Sequence, residues 1–549
     1  MLDLPLSERT FSRALIAQAE RYADKPFLKF ENAVFSYSEA LAISRHLAGA
    51  LQQRGLQHGS HVALLMNNHP NMLWTMLALA FLGVVVVPIN AAARGNLLAY
   101  FLRHSRSAAL IVDADLLPNA APLLEEMPAI RQVIVHGHVS SDLQKPISGQ
   151  IEWLSLEALL VSTSPAFMGD DARFSDVQMI MYTSGTTGPS KGVMCTHAQE
   201  QTGGIFMAEQ MGYNDSDVLY TCLPLFHANA IRITVTAALW AGATVALSRR
   251  FSASNFWPDI RKYEATQFNA LGAMANILVQ APASPADRDH KLRICNIVPA
   301  FTENQAADFE RRFHVQVTSL YGSTEMGCPI YANANTGTAR WPSCGKIVAP
   351  YEMRVVDDND FELPPGKVGE WILRSREPWY VFQGYLDMPA ETMAAWRNGW
   401  FHTGDRGYMD TDGFFYFIDR KKESIRRRGE NISSYEVESA ICGHPGVLEC
   451  AAVAVPSELG EDEVMVYVVL RPDFNLTEVE LTQFCEANMA HFMVPRFIAF
   501  LPALPKTPSE KVEKYKLKQS AEQSRDSLWD REKVFGRSRS QKASAAMRK

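Results

Sequence analysis

The sequence lacks an excess of positive charge, a paired cysteine motif and an apolar run of membrane-spanning length. Its 549 residues carry a formal net charge of −7, which argues against a nucleic-acid-binding surface as the main function. Its eight cysteines form no C-x-x-C pair, so we expect free thiols in a reducing compartment rather than a zinc site or disulfides. The N-terminus has no basic start before an apolar segment, which predicts no signal peptide and a cytoplasmic protein.

The most apolar stretch runs from Met72 to Val87. It is shorter than the ~20 residues that a membrane-spanning helix needs. Gly83 divides it, and the valines that follow favour a strand. This stretch therefore predicts a buried helix followed by a buried strand.

The order of the elements predicts an α/β protein of two or more domains. Residues 61–66 read as a strand, and a helix after Pro70 and a strand at 84–88 complete a β-α-β unit. The alternation continues to about residue 320, which indicates parallel sheets covered on both faces. Before it, Ser7 is the predicted cap of a first helix.

The pattern of predicted helices and strands changes twice towards the C-terminus. From about residue 345, short strands separated by Asp-Gly and Pro-Gly turns predict a small β-rich section. After Arg420 the pattern predicts a small α+β domain, in which Thr477 and Glu480 form a capping box. The polar stretch from Ala521 onward predicts a mobile tail.

The segment YTSGTTGPSKGVMCTH, residues 182–197, combines two Ser/Thr runs with three glycines and one lysine. Such loops bind phosphate through backbone N–H groups and hydroxyls. The P-loop pattern of kinases and GTPases fails here, because Gly188 follows Gly185 too closely and Gly192, after Lys191, has no hydroxyl for magnesium. The segment predicts a phosphate site of another kind.

Five motifs together resemble the adenylate-forming enzymes, which include acyl-CoA synthetases, luciferases and peptide-synthetase adenylation domains. In chain order they are YTSGTTGPSKG, YGSTE, GWFHTGD, DRKKESIRRRGENIS and PKTPSEKV. Within that family the chain is similar to the acyl-CoA synthetases and to their crotonobetaine/carnitine–CoA ligase branch. The resemblance implies an N-terminal AMP-binding domain over residues 1–421 and a mobile lid domain over 422–520, which leaves the polar tail over 521–549.

The resemblance also implies a two-step reaction. A carboxylate attacks the α-phosphorus of ATP to form an acyl-adenylate and pyrophosphate, and the thiol of coenzyme A then displaces AMP. ATP, Mg²⁺, coenzyme A and a small carboxylic acid are the implied ligands, with a homodimer as the family-based expectation. The acid stays open between medium-chain, aryl and betaine-type molecules, with Phe226, Asn229, Ala300 and Phe301 near its pocket.

The residues that match the family's nucleotide motifs have implied roles. Tyr321 and Gly322 lie along the adenine, Thr324 contacts the α-phosphate and Glu325 holds Mg²⁺. Asp405 accepts hydrogen bonds from the ribose, beside Arg420. The implied phosphate-binding residues of the first motif are Thr183, Ser184, Gly185, Thr186, Thr187, Gly188 and Lys191.

Other implied roles fall on the acyl gate and on the C-terminal motifs. His227 is the implied aromatic gate between the acyl pocket and the CoA channel. Lys511 is the implied lysine of the adenylation step, and Lys422 falls at the domain hinge. The residues implied near the pantetheine channel and the CoA phosphates are Arg426, Arg428 and Gly429.

Two further arginines have alternative interpretations. Arg427 is interpreted as part of a solvated basic face, because three arginines follow one another at 426–428. Arg232 either faces the acyl pocket and reads a polar substrate or belongs to a solvated helix face.

The sequence departs from the family pattern at three places. Pro189 lies one position early, so that Ser190 precedes Lys191, and Glu510 stands where a glycine is common before Lys511. The segment IVPAF, residues 297–301, replaces the Gly-Gly-Ala turn against the adenine. These departures keep open the hypothesis of a non-catalytic nucleotide-binding protein. An adenylating enzyme that transfers the acyl group to a carrier-protein thiol is a separate alternative.

Overall fold

The computed structural model describes residues 1–138, 151–183, 190–420, 425–427, 430–432, 434–456, 462–489, 493–506 and 512–535. The chain forms two compact units. The first contains residues 1–353, 372–402 and 410–416, and the second contains residues 354–371, 403–409 and the chain from 417 onward. The units therefore divide the chain differently from a single cut at residue 421.

The described strands, in chain order, are β1 (Pro26–Phe30), β2 (Ala33–Ser36), β3 (His61–Leu65), β4 (Val85–Pro88), β5 (Ala109–Asp113), β6 (Gln132–His136), β7 (Glu152–Ser155), β8 (Val177–Thr183), β9 (Lys191–Thr196), β10 (Val218–Thr221), β11 (Thr244–Leu247), β12 (Gln267–Leu271), β13 (Ile294–Val298), β14 (Gln316–Ser323), β15 (Gly327–Ala332), β16 (Lys346–Ile347), β17 (Tyr351–Val356), β18 (Gly369–Ser375), β19 (Gly384–Tyr385), β20 (Trp396–Arg397), β21 (Trp400–Met409), β22 (Phe415–Arg420), β23 (Ile425–Arg427), β24 (Glu430–Ile432), β25 (Val447–Pro456), β26 (Asp462–Leu470), β27 (Phe497–Phe500) and β28 (Trp529–Asp530).

The described α-helices are α1 (Phe11–Tyr22), α2 (Tyr37–Gln53), α3 (Pro70–Phe81), α4 (Gly95–His104), α5 (Leu117–Ala120), α6 (Leu156–Leu160), α7 (His197–Met211), α8 (Ala228–Ala230), α9 (Ala237–Ala241), α10 (Phe256–Tyr263), α11 (Gly272–Gln280), α12 (Glu303–Phe313), α13 (Pro389–Ala395), α14 (Ser434–Cys442), α15 (Glu478–Asn488), α16 (Lys514–Gln523) and α17 (Arg531–Phe535). A π-helical segment, Ile231–Thr236, joins α8 to α9.

Two large mixed sheets form the first unit. One has the strand order β16-β15-β14-β13-β12-β10-β11-β1-β2, and the other has the order β19-β9-β8-β4-β3-β5-β6-β7. The central strands of both sheets are parallel. Strands β4 and β5 are buried along their whole length, as expected for parallel strands covered on both faces. This confirms the predicted α/β architecture.

Each of these sheets carries an antiparallel hairpin next to its parallel strands. Strand β9 returns antiparallel to β8, and β15 returns antiparallel to β14. Because β8 and β14 run parallel to their inner neighbours, each hairpin tip lies at the carboxyl end of those strands. Ligands of α/β sheets bind at that end.

The apolar stretch from Met72 to Val87 forms helix α3 and strand β4, as predicted. Eleven of the twelve residues of α3 are buried. No helix among the described residues is both long and apolar enough to cross a membrane.

The first helix begins later than the sequence suggested. Ser7 lies in a short 3₁₀ turn, Leu6–Glu8, and Thr10 caps α1 by accepting a hydrogen bond from the N–H of Arg13. The prediction of Ser7 as the cap is wrong because an N-cap stands directly before the first helical residue, and here that residue is Phe11.

A five-stranded sheet follows, as the hairpin pattern from residue 345 predicted. Its order is β17-β18-β21-β20, and β22 pairs with β21. At the turn after β17, the backbone N–H groups of Asn359 and Phe361 donate to the Asp357 carboxylate, and Asp360 adopts a left-handed conformation with φ of 65°.

The second unit contains the predicted α+β fold. Its main sheet has the order β25-β26-β27-β28, and β23 pairs with β24 in a separate ribbon. The predicted capping box of Thr477 and Glu480 is present at the start of α15. This confirms a smaller C-terminal α+β region.

The prediction of a mobile tail from Ala521 is wrong for its first part. Ala521 is fully buried, and β28 pairs with β27 through Trp529 and Asp530. The Asp530 carboxylate lies 3.0 Å from the guanidinium of Arg496. The prediction rested on polar composition, but Asp530 in this segment is paired with Arg496, a residue distant in sequence. Residues 536–549 lie outside the described residues.

Arg427 also corrects the sequence analysis, because it is buried rather than solvated. Its side chain is 1 % exposed, its Nε lies 2.6 Å from Oε2 of Glu463, and its Nη1 donates to the carbonyl of Val494. Successive strand residues point to opposite faces, so a run of three arginines does not reveal which one lies inside.

We predict that Arg427→Met destabilises the second unit, because the buried Glu463 carboxylate loses its nearest positive partner. Removing one partner of a buried pair costs about 3 kcal/mol, so peptides of β25 and β26 should exchange amide hydrogens on the order of 100-fold faster in mass spectrometry. The control is Lys516→Met, which breaks a surface pair with Glu513 and should change exchange less than about fivefold. Equal exchange in both variants would contradict the prediction.

Candidate active site

The segment 182–197, whose composition predicts a phosphate site, contains the end of β8 and the whole of β9. Thr183 ends β8, Lys191 begins β9, and the two residues are directly paired across the hairpin. Both therefore lie at the end of the hairpin where the chain leaves β8 and enters β9. Ser184, Gly185, Thr186, Thr187 and Gly188 lie outside the described residues.

Tyr385 connects Lys191 to Glu325. The Lys191 Nζ lies 4.4 Å from the centre of the Tyr385 ring, and the Tyr385 hydroxyl donates to Oε1 of Glu325 at 3.1 Å. Burial, and then the nearby Glu325 carboxylate, raises the pKa of Tyr385, so the phenol stays protonated as a donor. Two distant motifs thus meet at one place, through a residue that the sequence analysis missed.

The segment Tyr321–Glu325 forms the end of β14 and the turn into β15. Tyr321 is buried and pairs with Ile330, and Thr324 and Glu325 lie in the turn itself. A Cβ at Gly322 would lie 2.3 Å from the carbonyl oxygen of Gly327. The hairpin's own backbone therefore requires glycine at this position.

Arg232 fits neither of its two sequence-based interpretations. Its side chain is 1 % exposed, and its Nη2 lies 2.5 Å from Oε1 of Glu200 on helix α7. The same guanidinium donates to the carbonyls of Ser323 and Thr324. Both interpretations are wrong because the guanidinium is enclosed by the interior carboxylate and the turn after β14, so it neither reads a substrate nor faces solvent.

His227 lies directly before helix α8, ahead of the π-helical segment. It is half-buried, and its ring centre lies 4.8 Å from that of Phe226. Nearby in sequence, Oδ1 of Asn229 is buried without a hydrogen-bond partner among the described residues, and so is Oγ of Ser323. Such unpaired polar atoms are expected where a polar ligand binds.

The segment that replaces the Gly-Gly-Ala turn, residues 297–301, begins in the last two residues of β13 and continues past the end of that strand. Ala300 and Phe301 are buried, and the Phe301 ring lies 6.0 Å from that of Phe309 on α12. Phe301 therefore packs partly against the protein's own core.

Asp405 belongs to the second unit, on β21. It is 7 % exposed, and its N–H donates to Oγ1 of Thr403. Thr403 in turn donates to the carbonyl of Trp371, and Gly404 has φ of 72°. The other predicted residues of this unit are not fully described. The side chains of Arg420 and Arg426 lie outside the description, and so do the whole residues Lys422, Arg428, Gly429 and Lys511.

The donor set at Glu325 suits magnesium better than a transition metal. Among the described residues, no group of three His, Cys, Asp or Glu side chains could hold a metal ion. Mg²⁺ typically binds through one or two carboxylates together with substrate phosphates and water. A single carboxylate beside a phosphate-type hairpin matches that requirement.

Family models match most of the chain. The model of the AMP-binding enzymes matches residues 15–386, and the model of their C-terminal domain matches residues 436–511. The chain belongs to the AMP-binding enzyme family. The family resemblance drawn from the five motifs is thus confirmed.

Curated relatives match along nearly their whole length. The crotonobetaine/carnitine–CoA ligase of Salmonella agona (strain SL483) is 33% identical over 505 residues, which is 90% of this chain and 96% of the relative. The enzyme of the same name from Salmonella typhi is 32% identical over 511 residues, which is 91% of this chain and 97% of the relative.

Solved structures show the same fold. The anthranilate CoA ligase AuaEII in complex with anthranoyl-AMP has a TM-score of 0.85 at 24% identity, over 94% of this chain and 98% of its own. ATP-bound MatB from Rhodopseudomonas palustris has a TM-score of 0.81 at 24% identity, over 93% and 99%.

We predict that Tyr385→Phe slows pyrophosphate release at limiting Mg²⁺, because it removes the hydrogen bond to Glu325 while keeping the ring against Lys191. A hydrogen bond to a charged group contributes about 1.5–3 kcal/mol, so pyrophosphate release at limiting Mg²⁺ should fall on the order of tenfold. The control, Tyr22→Phe, loses an equivalent hydroxyl contact to Asp215 at the surface and should keep full activity. Wild-type Mg²⁺ dependence in Tyr385→Phe would contradict the role of this contact.

Proposed function

We propose that the protein is an ATP-dependent carboxylate–CoA ligase that releases AMP and pyrophosphate. The observation that carries the proposal is the convergence of Lys191 and Glu325 on Tyr385. This arrangement places a cation and a carboxylate beside a phosphate-type hairpin, which suits a metal–triphosphate ligand. Membership of the AMP-binding enzyme family and the names of the relatives support the same chemistry.

The reaction balances in two steps. A carboxylate oxygen of the acid forms a bond to the α-phosphorus of ATP, and the bond to the bridging oxygen breaks as pyrophosphate leaves. The sulfur of coenzyme A, after losing its proton to solvent, then bonds to the acyl carbon, and AMP leaves with the former carboxylate oxygen. Adenylation is needed because a free carboxylate is a poor acyl donor, whereas AMP is a good leaving group.

The first unit supplies the groups for the phosphates. Lys191 neutralises the β- and γ-phosphates, and Thr183 and the segment 184–188 offer hydroxyls and N–H groups. Thr324 orients the α-phosphate, and Glu325 would hold Mg²⁺. When bound, the ion would neutralise phosphate charge and orient the leaving pyrophosphate. Tyr321 and Gly322 line the adenine, and His227 separates the acyl and CoA sides.

The second unit supplies the groups for the ribose and for coenzyme A. Asp405, beside Arg420, accepts hydrogen bonds from the ribose hydroxyls. The residues near the CoA channel are Arg426, Arg428 and Gly429. We assign the adenylation lysine to Lys511. The assignment is supported by its neighbours, because Lys514 pairs with Glu438 and Lys516 pairs with Glu513. Lys422 is the proposed hinge about which residues 422–520 reorient between the two steps.

The substrate that we propose first is a betaine-type acid of the carnitine kind. The support is the 33% identity to crotonobetaine/carnitine–CoA ligases over 90% of this chain. Aromatic faces attract quaternary ammonium groups, and the half-buried Phe226 offers such a face next to His227. Aryl and medium-chain acids are the comparison substrates.

We also propose that the protein acts in the cytoplasm and that it forms a homodimer. Light scattering on the purified protein would test the homodimer.

The test is pyrophosphate release from Mg-ATP with carnitine-type, aryl and medium-chain acids, each with and without coenzyme A. We expect one class of acid to support turnover only when coenzyme A is present, since AMP leaves in the thiol step. Release that is independent of coenzyme A would favour the carrier-protein acceptor. ATP binding without release for every acid would favour the non-catalytic hypothesis and would overturn the proposal.

A further inference from the structure

The turn after β14 is held by donors from the protein interior. Nη1 of Arg232 donates to the carbonyl of Ser323 at 3.1 Å, and Nη2 donates to that of Thr324 at 3.3 Å. Nε2 of Gln199 donates to the carbonyls of Thr324 and Glu325, both at 2.9 Å. Three successive carbonyls are thus bound to two buried side chains.

Arg232 is itself held in place by Glu200. Its Nε and Nη2 contact the two carboxylate oxygens at 3.2 and 2.5 Å, and both side chains are 1 % exposed. Burial alone would lower the pKa of Arg232, but the Glu200 carboxylate raises it overall, so the guanidinium stays charged. Because the Glu200 carboxylate compensates that charge, the guanidinium holds the turn through directed N–H hydrogen bonds.

Helix α7 is built to admit this guanidinium. Thr196 caps the helix, and Gln199 and Glu200 follow in its first turn. One turn later, a Cβ at Gly203 would lie 2.5 Å from Cδ of Arg232. The absence of a side chain at Gly203 therefore leaves room for the aliphatic part of Arg232 to cross the helix.

These contacts close a ring through the candidate site. Strand β9 starts at Lys191 and leads directly into α7, whose Gln199 binds the carbonyls of Thr324 and Glu325. The Glu325 side chain then contacts Tyr385, whose ring lies against Lys191. A shift of the turn would move the Glu325 carboxylate and the Thr324 hydroxyl together.

We infer that Arg232, Glu200 and Gln199 form a carbonyl clamp that positions Thr324 and Glu325 for the α-phosphate and for Mg²⁺. The inference rests on the proposed function for its consequence in catalysis. Arg232 and Gln199 contact the backbone of the turn and Glu200 holds Arg232, so all three are positioning residues. Misplacing reacting groups by about 1 Å can cost on the order of 100-fold in rate, so the clamp should affect turnover strongly.

The test uses Gln199→Leu and Arg232→Lys. Gln199→Leu removes both hydrogen bonds of Nε2 without changing charge. Arg232→Lys keeps a cation for Glu200 but loses the planar fork that reaches the carboxylate and two carbonyls together. In both variants we expect kcat for pyrophosphate release to fall on the order of 10- to 100-fold, and the Mg²⁺ concentration for half-maximal rate to rise.

The matched control is Gln201→Leu. Gln201 is buried on the same helix and also makes two side-chain hydrogen bonds, with Gln178 and with Trp240. Neither partner belongs to the turn, so Gln201→Leu should lower the thermal midpoint about as much as Gln199→Leu and leave the Mg²⁺ dependence unchanged. Equal effects of the two variants on Mg²⁺ dependence and kcat would overturn the clamp.

A readout without turnover separates the clamp from the proposed function. In amide hydrogen exchange of the intact protein, peptides covering residues 320–328 should exchange faster in Gln199→Leu than in wild type and Gln201→Leu. Wild-type protection of this segment in Gln199→Leu would overturn the inference. If wild-type protein released no pyrophosphate with any acid, the proposed function would fail, and the exchange result would still decide whether the clamp holds the turn.

Discussion

The buried pair of Arg232 and Glu200 is the interaction on which the candidate site depends. Enclosing two charges is costly, and a buried pair is stabilising only when every remaining donor and acceptor is satisfied. Here two further guanidinium N–H groups donate to the carbonyls of Ser323 and Thr324, so the turn supplies acceptors to the buried pair. Gln199 extends the same arrangement to the carbonyl of Glu325. The chemistry of the turn is thus coupled to the packing of the interior.

The two parts of the site share one structural solution. Both β8–β9 and β14–β15 are antiparallel hairpins attached to parallel strands, with their tips at the carboxyl ends of those strands. A hairpin tip can lengthen without disturbing the sheet, so hydroxyl- and glycine-rich residues can approach a nucleotide there. The parallel strands provide the rigid support. Tyr385 lies on β19, which pairs with β9, and it contacts both Lys191 at the start of β9 and Glu325 in the turn after β14.

Much of the fold could be predicted from the sequence, because its signals are local. Continuous apolar strands predicted the parallel sheets, and Thr477 with Glu480 predicted the start of α15. The identity of the family followed from ordered motifs. Partners distant in sequence could not be predicted. Arg232 depends on Glu200 and on carbonyls about ninety residues away, and Arg427 depends on Glu463. A polar or charged residue looks the same in sequence whether its partner is water or a buried group. The role of Tyr385 could not be predicted for the same reason, since its partners belong to other motifs.

The most direct test of the account is to follow the carboxylate oxygen. The acid that supports turnover is labelled with ¹⁸O in its carboxylate and converted with Mg-ATP and coenzyme A, and the AMP and pyrophosphate are analysed by mass spectrometry. Because the carboxylate attacks the α-phosphorus and AMP leaves in the thiol step, we expect one labelled oxygen in each AMP formed and none in pyrophosphate. Label in inorganic phosphate, with ADP as the nucleotide product, would show attack at the γ-phosphorus and would contradict the account.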